Sequence, residues 1–128
     1  MFENKKVLVT GGTGMIGRFV VEALIERKAI VRVVSMDDPS RAHPKAEFFQ
    51  ANLMYFDKCM EVCKGMDIVF HLAGIKGSPA MTIERPASFF VPTVSFNTNM
   101  MEAARQCGAK RYLYTSSIGV YAPAEVFF

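Results

Sequence analysis

Three glycines, Gly11, Gly14 and Gly17, recur at every third position in the run TGGTGMIG. Positions without a Cβ at such intervals let a chain turn tightly, bring its backbone against a phosphate and pack a helix closely on a strand. N–H groups at the start of the following helix then face the anion. The chemistry predicted is recognition of a pyrophosphate, and a dinucleotide is the ligand that fits it. The competing reading is a glycine-rich turn without a ligand. Other reactive residue types are sparser. Cys59 and Cys63 are four apart and could share a helix face, but nothing nearby completes a tetrahedral set with them or with Cys107. They read as small buried hydrophobes, and no metal is expected. His71 stands alone at the end of an apolar run and reads as structural.

The glycines take their meaning from what flanks them. Lys5 to Thr10 is a β-branched run that stops at the cluster, and beyond it Ile16, Phe19, Val20, Ala23 and Leu24 recur at helical spacing. Ala29 to Val34 predicts a second strand, broken by Asp37, Asp38, Pro39 and Ser40, which completes a βαβ unit. Glu47 to Gln50 predicts a short third strand, Phe56 to Lys64 a helix, and Asp67 to Leu72 an apolar strand buried on both faces. Ile75 to Pro92 holds Gly77, Pro79 and Pro86 and has no clean period, which predicts a long connection with one helical turn. Val94 to Gln106 is helical, with Gly108 as its stop, and Arg111 to Thr115 is a fifth strand followed by Ser116 and Ser117. This alternation predicts an α/β fold: a doubly wound parallel sheet of five strands in the order 3-2-1-4-5, forming one dinucleotide-binding domain over residues 1–128.

Composition narrows the partners. Of 128 residues, 51% are hydrophobic and 21% charged, enough for a core and too apolar for disorder. The formal charge of +3 is scattered along the chain, so no nucleic-acid partner is expected. No stretch reaches the roughly 18 apolar residues of a membrane span, and the polar start MFENKK does not read as a targeting segment. No membrane partner is expected, and three cysteines in no disulfide spacing fit a reducing cytoplasm.

With GxxGxxG at Gly11 to Gly17, HLAG ending at Gly74 and TSSIGVY ending at Tyr121, the chain resembles the extended short-chain dehydrogenase/reductase family. Within it, the likeness is to NAD-dependent epimerases/dehydratases that act on nucleotide sugars. The segment IKGSPAMTIERPASFF followed by NTNMMEAA is similar to the corresponding part of GDP-fucose synthases and their relatives. The resemblance implies a Rossmann-like fold that stops before the later strands and the substrate domain. It implies that Gly11, Gly14, Met15, Ile16 and Gly17 hold the pyrophosphate through backbone groups, and that Ala73 and Gly74 lie against the adenosine ribose and phosphates. Leu72 and Thr115 join them as cofactor contacts. Asn52, where the family usually has Asp, would meet adenine together with Leu53. The family's ribose-binding Asp corresponds to Ser35, eighteen positions after Gly17. Asp37 and Asp38 stand close by and would repel a 2′-phosphate or bind a hydroxyl, whereas Arg18 or Arg41 could pair with one. NAD is favoured over NADP on this reading, although turn chemistry alone also accounts for DDPSR.

By the same resemblance Ser117, with Ser116 beside it, is the catalytic hydroxyl that hydrogen-bonds the substrate. A tyrosine whose pKa is lowered by a lysine would take the proton while nicotinamide takes the hydride. That pair, spaced YxxxK, does not occur in the chain, and Tyr121 has Glu125 four positions on. The function expected is the cofactor-binding half of an NAD(P)-dependent nucleotide-sugar epimerase/dehydratase, inactive as the isolated 128 residues. A nucleotide sugar would be a partner only with the C-terminal part supplied. The alternative is a non-catalytic dinucleotide-binding module, a sensor or subunit. Departures from the family pattern are Thr93 in place of Asn, Phe96 in place of Gly, and Lys28 in place of a turn Gly. A fifth strand at the sheet edge and the apolar tail Val126, Phe127 and Phe128 predict a homo-oligomer.

Overall fold

The computed structural model describes residues 1–75 and 77–117, so Tyr121 and the tail from Val126 to Phe128 lie outside the described residues. Five strands, β1 (Lys6–Thr10), β2 (Ile30–Ser35), β3 (Glu47–Gln50), β4 (Ile68–His71) and β5 (Arg111–Tyr114), form one parallel sheet. Their order is β3-β2-β1-β4-β5, as the alternation of elements predicts. β1 is central: Val7 pairs with Val31 on one side and Ile68 on the other. Valine and leucine at successive positions suit a strand covered on both faces. Val7, Val9, Val31, Val33 and Ile68 pack in one cluster with helix α1 (Gly17–Glu26). Leu8, Val34 and Val69 point the other way, into a cluster with α2 (Phe56–Cys63) and α4 (Pro86–Gln106). Arg32 is the charged exception on β2. Its guanidinium meets Glu47 at 2.7 Å and donates to the carbonyls of Val62 and Lys64, which ties β2 to the end of α2.

The buried side of α1 carries Gly17, Val21 and Leu24, and not the full stripe that periodicity predicts, since Ile16 and Phe19 are each 59% exposed. Gly17 sets the phase. A Cβ there would collide with the Gly11 carbonyl oxygen, so the helix touches the loop at this glycine. Residues four and seven further on then share its face.

The segment between β4 and α4 is also more helical than its sequence period suggests. Helix α3 (Pro79–Glu84) begins at one proline, and α4 begins at another, Pro86, rather than at Val94. Pro79 and Pro86 occupy the first turns of their helices, where a missing N–H leaves nothing unpaired that was paired before. Ser78 Oγ accepts the Met81 N–H at 3.2 Å, capping α3. Pro92 lies inside α4, one turn and a half from its start.

Candidate functional site

The carboxyl ends of β1, β2 and β4 open into a cleft of about 690 Å³, within the range of roughly 300–1,000 Å³ typical of ligand sites. It lies where β1 is flanked by β2 on one side and β4 on the other, the switch point at which doubly wound sheets bind ligands.

The glycine loop forms one wall. Gly11 has φ +66°, and a Cβ on it would stand 3.0 Å from Ala73 Cα, so glycine alone lets the loop run against the exit of β4. At Gly14 a Cβ would lie 3.2 Å from the Gly11 oxygen, and at Gly74 it would meet nothing within 4 Å. Both glycines line the cleft. No side chain caps the start of α1, and its first turn holds no acidic residue. The positive end of the helix dipole is therefore turned to the cleft through Gly14, Met15, Ile16 and Gly17. The cradle suits an anion that binds through main-chain N–H groups, as a pyrophosphate does.

The second wall follows β2 and β3. Thr13 Oγ1 lies 2.6 Å from Asp37 Oδ2 and 2.8 Å from Ser35 Oγ. Because a carboxylate only accepts, the threonine hydrogen goes to Asp37. Arg41 Nη1 is 3.5 Å from the same carboxylate oxygen. Asn52 Oδ1 accepts the Met54 N–H at 3.0 Å, an Asx turn that sets Leu53 and Met54 at the rim. Asp37 is the only charged side chain that lines the cleft among the described residues.

Beneath the third wall runs a buried polar chain. The Thr10 hydroxyl accepts the Leu72 and Ala73 N–H groups at 3.1 and 3.0 Å and sits 2.7 Å from His71 Nδ1. With its lone pairs taken, it donates to Nδ1, which places the ring proton on Nε2. Nε2 then donates to Asn97 Oδ1 at 2.8 Å, and the Asn97 amide donates to the Tyr114 hydroxyl at 3.2 Å. Burial holds the His71 pKa below its ordinary value, with the Asn97 hydrogen bond opposing in part. The structural role expected of His71 agrees with this wholly buried position.

Of the residues expected to contact a cofactor, Gly11, Gly14, Met15, Ile16, Gly17, Ser35, Asp37, Asn52, Leu53, Leu72, Ala73 and Gly74 line one cleft together. Thr115 is not in that lining; its N–H and hydroxyl both meet the His71 carbonyl, at 3.3 and 3.4 Å. Ser116 and Ser117 follow it, exposed, beyond the end of β5. Thr13, Val34, Met36, Ala51, Met54, Ile75, Pro92 and Phe96, none of them among the expected cofactor contacts, also line the cleft. Thr13 carried one signal, a hydroxyl inside a glycine loop. Cys59 and Cys63 are wholly buried, and burial pushes each thiol up to about 12. No group of residues able to hold a metal occurs among the described residues. No helix among them is long and apolar enough to cross a membrane.

A Rossmann-type sheet with a glycine cradle at its switch point defines a nucleotide-binding class of protein. Residues 7–127 match the model of the NAD dependent epimerase/dehydratase family, and the chain belongs to that family. It is 36% identical to a 3β-hydroxysteroid dehydrogenase/Δ5→4-isomerase of Mycobacterium tuberculosis over 92% of this chain and 33% of that protein. It is 29% identical to the UDP-glucose 4-epimerase of Rickettsia bellii, over 98% of this chain and 37% of the relative. Among solved structures, the UDP-glucose 4-epimerase of Thermus thermophilus in complex with NAD superposes with a TM-score of 0.72 at 28% identity, over 84% of this chain and 36% of that one. The chain spans about a third of the length of the curated relatives it matches.

Proposed function

We propose that these 128 residues are the cofactor-binding part of an NAD(P)-dependent epimerase/dehydratase acting on a nucleotide sugar, and that they bind a nicotinamide dinucleotide in the cleft. The observation that carries this reading is the cradle itself. An uncapped helix start and two glycines whose missing side chains leave room beside it open on a cavity of ligand size at the switch point. A bound nicotinamide supplies reversible hydride transfer. Backbone N–H groups of Met15, Ile16 and Gly17 hold the pyrophosphate, the Gly14 N–H being taken by the Gly11 carbonyl at 3.0 Å, Asp37 meets the adenosine ribose, and Asn52 and Leu53 flank the adenine. Ser117, beyond β5, offers the substrate a hydroxyl. The proton acceptor of the family chemistry, a tyrosine four residues before a lysine, has no counterpart in these residues. Binding without turnover is the behaviour proposed for the 128-residue chain.

Buried reduced thiols are compatible with a cytoplasmic protein. A second substrate class, a hydroxysteroid, is favoured by one feature: apolar Ile75, Pro92 and Phe96 are among the residues that line the cleft. The name of the 36% identical relative agrees with it. Assaying the protein as its host makes it against UDP-glucose and a 3β-hydroxysteroid separates the two.

The binding claim is tested by fluorescence titration of the 128-residue chain with NADH and NADPH. At least one binds, and Gly14→Val, which adds bulk to a glycine that lines the cleft, weakens that binding by at least about tenfold, about the loss of one charge-assisted contact, with circular dichroism showing that the fold survives. Failure of both dinucleotides to bind at millimolar concentration overturns the reading.

A further inference from the structure

Resting on that reading of the cleft, we infer that His71 and Asn97 are positioning residues: through Thr10 on one side and Tyr114 on the other, they lock the cleft wall to the end of β5, which leads into Ser117. Neither is among the residues lining the cleft. His71 is wholly buried, and burying an imidazole costs desolvation that a phenylalanine of similar shape avoids. Its hydrogen bonds, not its volume, distinguish it at this position.

At the cleft end the lock acts through Thr10. The Thr10 hydroxyl accepts the Ala73 N–H at 3.0 Å, and Ala73 lines the cleft. The glycine loop rests on the same backbone, since a Cβ on Gly11 would stand 3.0 Å from Ala73 Cα. A displacement of Ala73 therefore reaches the phosphate cradle directly. Phe96, another lining residue, meets the His71 ring edge-on, with centroids 5.7 Å apart.

At the other end the lock holds β5. The Tyr114 ring stacks on that of His71, centroids 5.9 Å apart, and its hydroxyl accepts the Asn97 amide at 3.2 Å. Thr115 sets both its N–H and its hydroxyl on the His71 carbonyl, and Ser116 and Ser117 follow. One histidine thus ties together, by ring and by carbonyl, the strand exit at the cofactor and the strand exit at the substrate hydroxyl.

Protonation opens this lock. A second ring proton makes Nδ1 a donor facing the Thr10 hydroxyl, whose lone pairs are taken by Leu72 and Ala73, so the hydroxyl releases them or the ring turns. The titratable groups that face the ring are the phenols of Tyr112 and Tyr114 on β5, that of Tyr112 pushed up by burial. β1 presents Thr10, and α4 presents Asn97 and Phe96, none of which titrates.

The test is calorimetric titration of the 128-residue chain with NAD, which carries no phosphate monoester to titrate, from about pH 8 to about pH 5. NMR follows the His71 ring, and circular dichroism confirms the fold. In the wild type the affinity falls about three- to tenfold as the ring takes its second proton, about the contribution of one hydrogen bond. Asn97→Asp sets a carboxylate against Nε2, favours the imidazolium, and moves the ring titration and the fall in affinity to higher pH together. Affinity that stays level while the ring titrates, in either protein, overturns the positioning role and leaves a core histidine. Asn97→Leu needs no titration: at about pH 8 it weakens binding of NAD, and of NADP if that binds, by at least about threefold, and unchanged affinity overturns the role. At the β5 end, Tyr114→Phe removes the oxygen that the Asn97 amide meets and shifts the Leu72 and Ala73 amide signals; unmoved signals overturn the link to β5. Failure of both dinucleotides to bind at any pH overturns the cleft reading, and the inference falls with it.

Discussion

His71 has a hydroxyl on one ring nitrogen and an amide oxygen on the other, and this pairing admits one ring proton only. A second proton would face the Thr10 hydroxyl, whose lone pairs already take the Leu72 and Ala73 N–H groups. Burial lowers the folded-state pKa from 6.5. The unfolded chain therefore binds a proton that the folded chain refuses, and the stability from neutral His71 is full above the unfolded value and lost as pH falls through the folded one. Thermal melts from about pH 8 downward show a fall in Tm beginning near that value, and His71→Phe, which cannot titrate, lacks this component. A wild-type Tm that rises on acidification through this range contradicts a folded-state ring held neutral. The position of His71 at a strand end is legible in the sequence, but Asn97 as its partner, 26 residues on, is not. Thr13 is hidden for the same reason, because its partner Asp37 is 24 residues away. Gly14 and Gly17 are legible because their constraint is local, the backbone of Gly11 a few residues off, whereas the residue that Gly11 makes room for, Ala73, lies far along the chain and is not.

Two helices end in the same way with different residues. In α4 the Ala109 and Gly108 N–H groups return to the carbonyls of Ala104 and Arg105, with Gly108 at φ +77°. In α1 the Ala29 and Lys28 N–H groups return to Leu24 and Ile25, but the left-handed residue is Lys28, at φ +59°. A side chain in that conformation costs about 1 kcal/mol relative to glycine. The exposed contact of Lys28 with Glu3 at 3.1 Å returns little of it. Lys28→Gly raises Tm by about 3–5 °C in thermal unfolding; an unchanged or lower Tm contradicts the assigned cost. The existence and order of the strands are readable from the sequence because valine runs and breakers are short-range signals. The phase of α1 is not, since Phe19 and Val21 are equally apolar and only the contact of Gly17 with the loop decides which is buried. The start of α4 is misread because Pro86 and Pro92 look alike in sequence, yet one opens the helix and the other lies within it.

In the whole molecule the sheet, with α1 on one face and α2 and α4 on the other, brings three chain segments far apart in sequence to one cleft. The glycine loop, the turn after β2 and the exit of β4 meet there because β1 lies between β2 and β4. Sequence alone predicts this meeting through the strand order, and family resemblance names most of the residues. The contribution of Pro92 and Phe96 to the lining depends on how α4 is placed and is not legible in either. The central claim is that a nicotinamide dinucleotide occupies this cleft along its length. A backbone amide NMR titration of the 128-residue chain with NADH tests it most directly. Saturable shifts concentrated at Gly11 to Gly17, at Ser35 to Asp37, at Asn52 and Leu53, and at Ala73 and Gly74 are the result predicted. Shifts confined to other surfaces, or none at millimolar ligand, would contradict it.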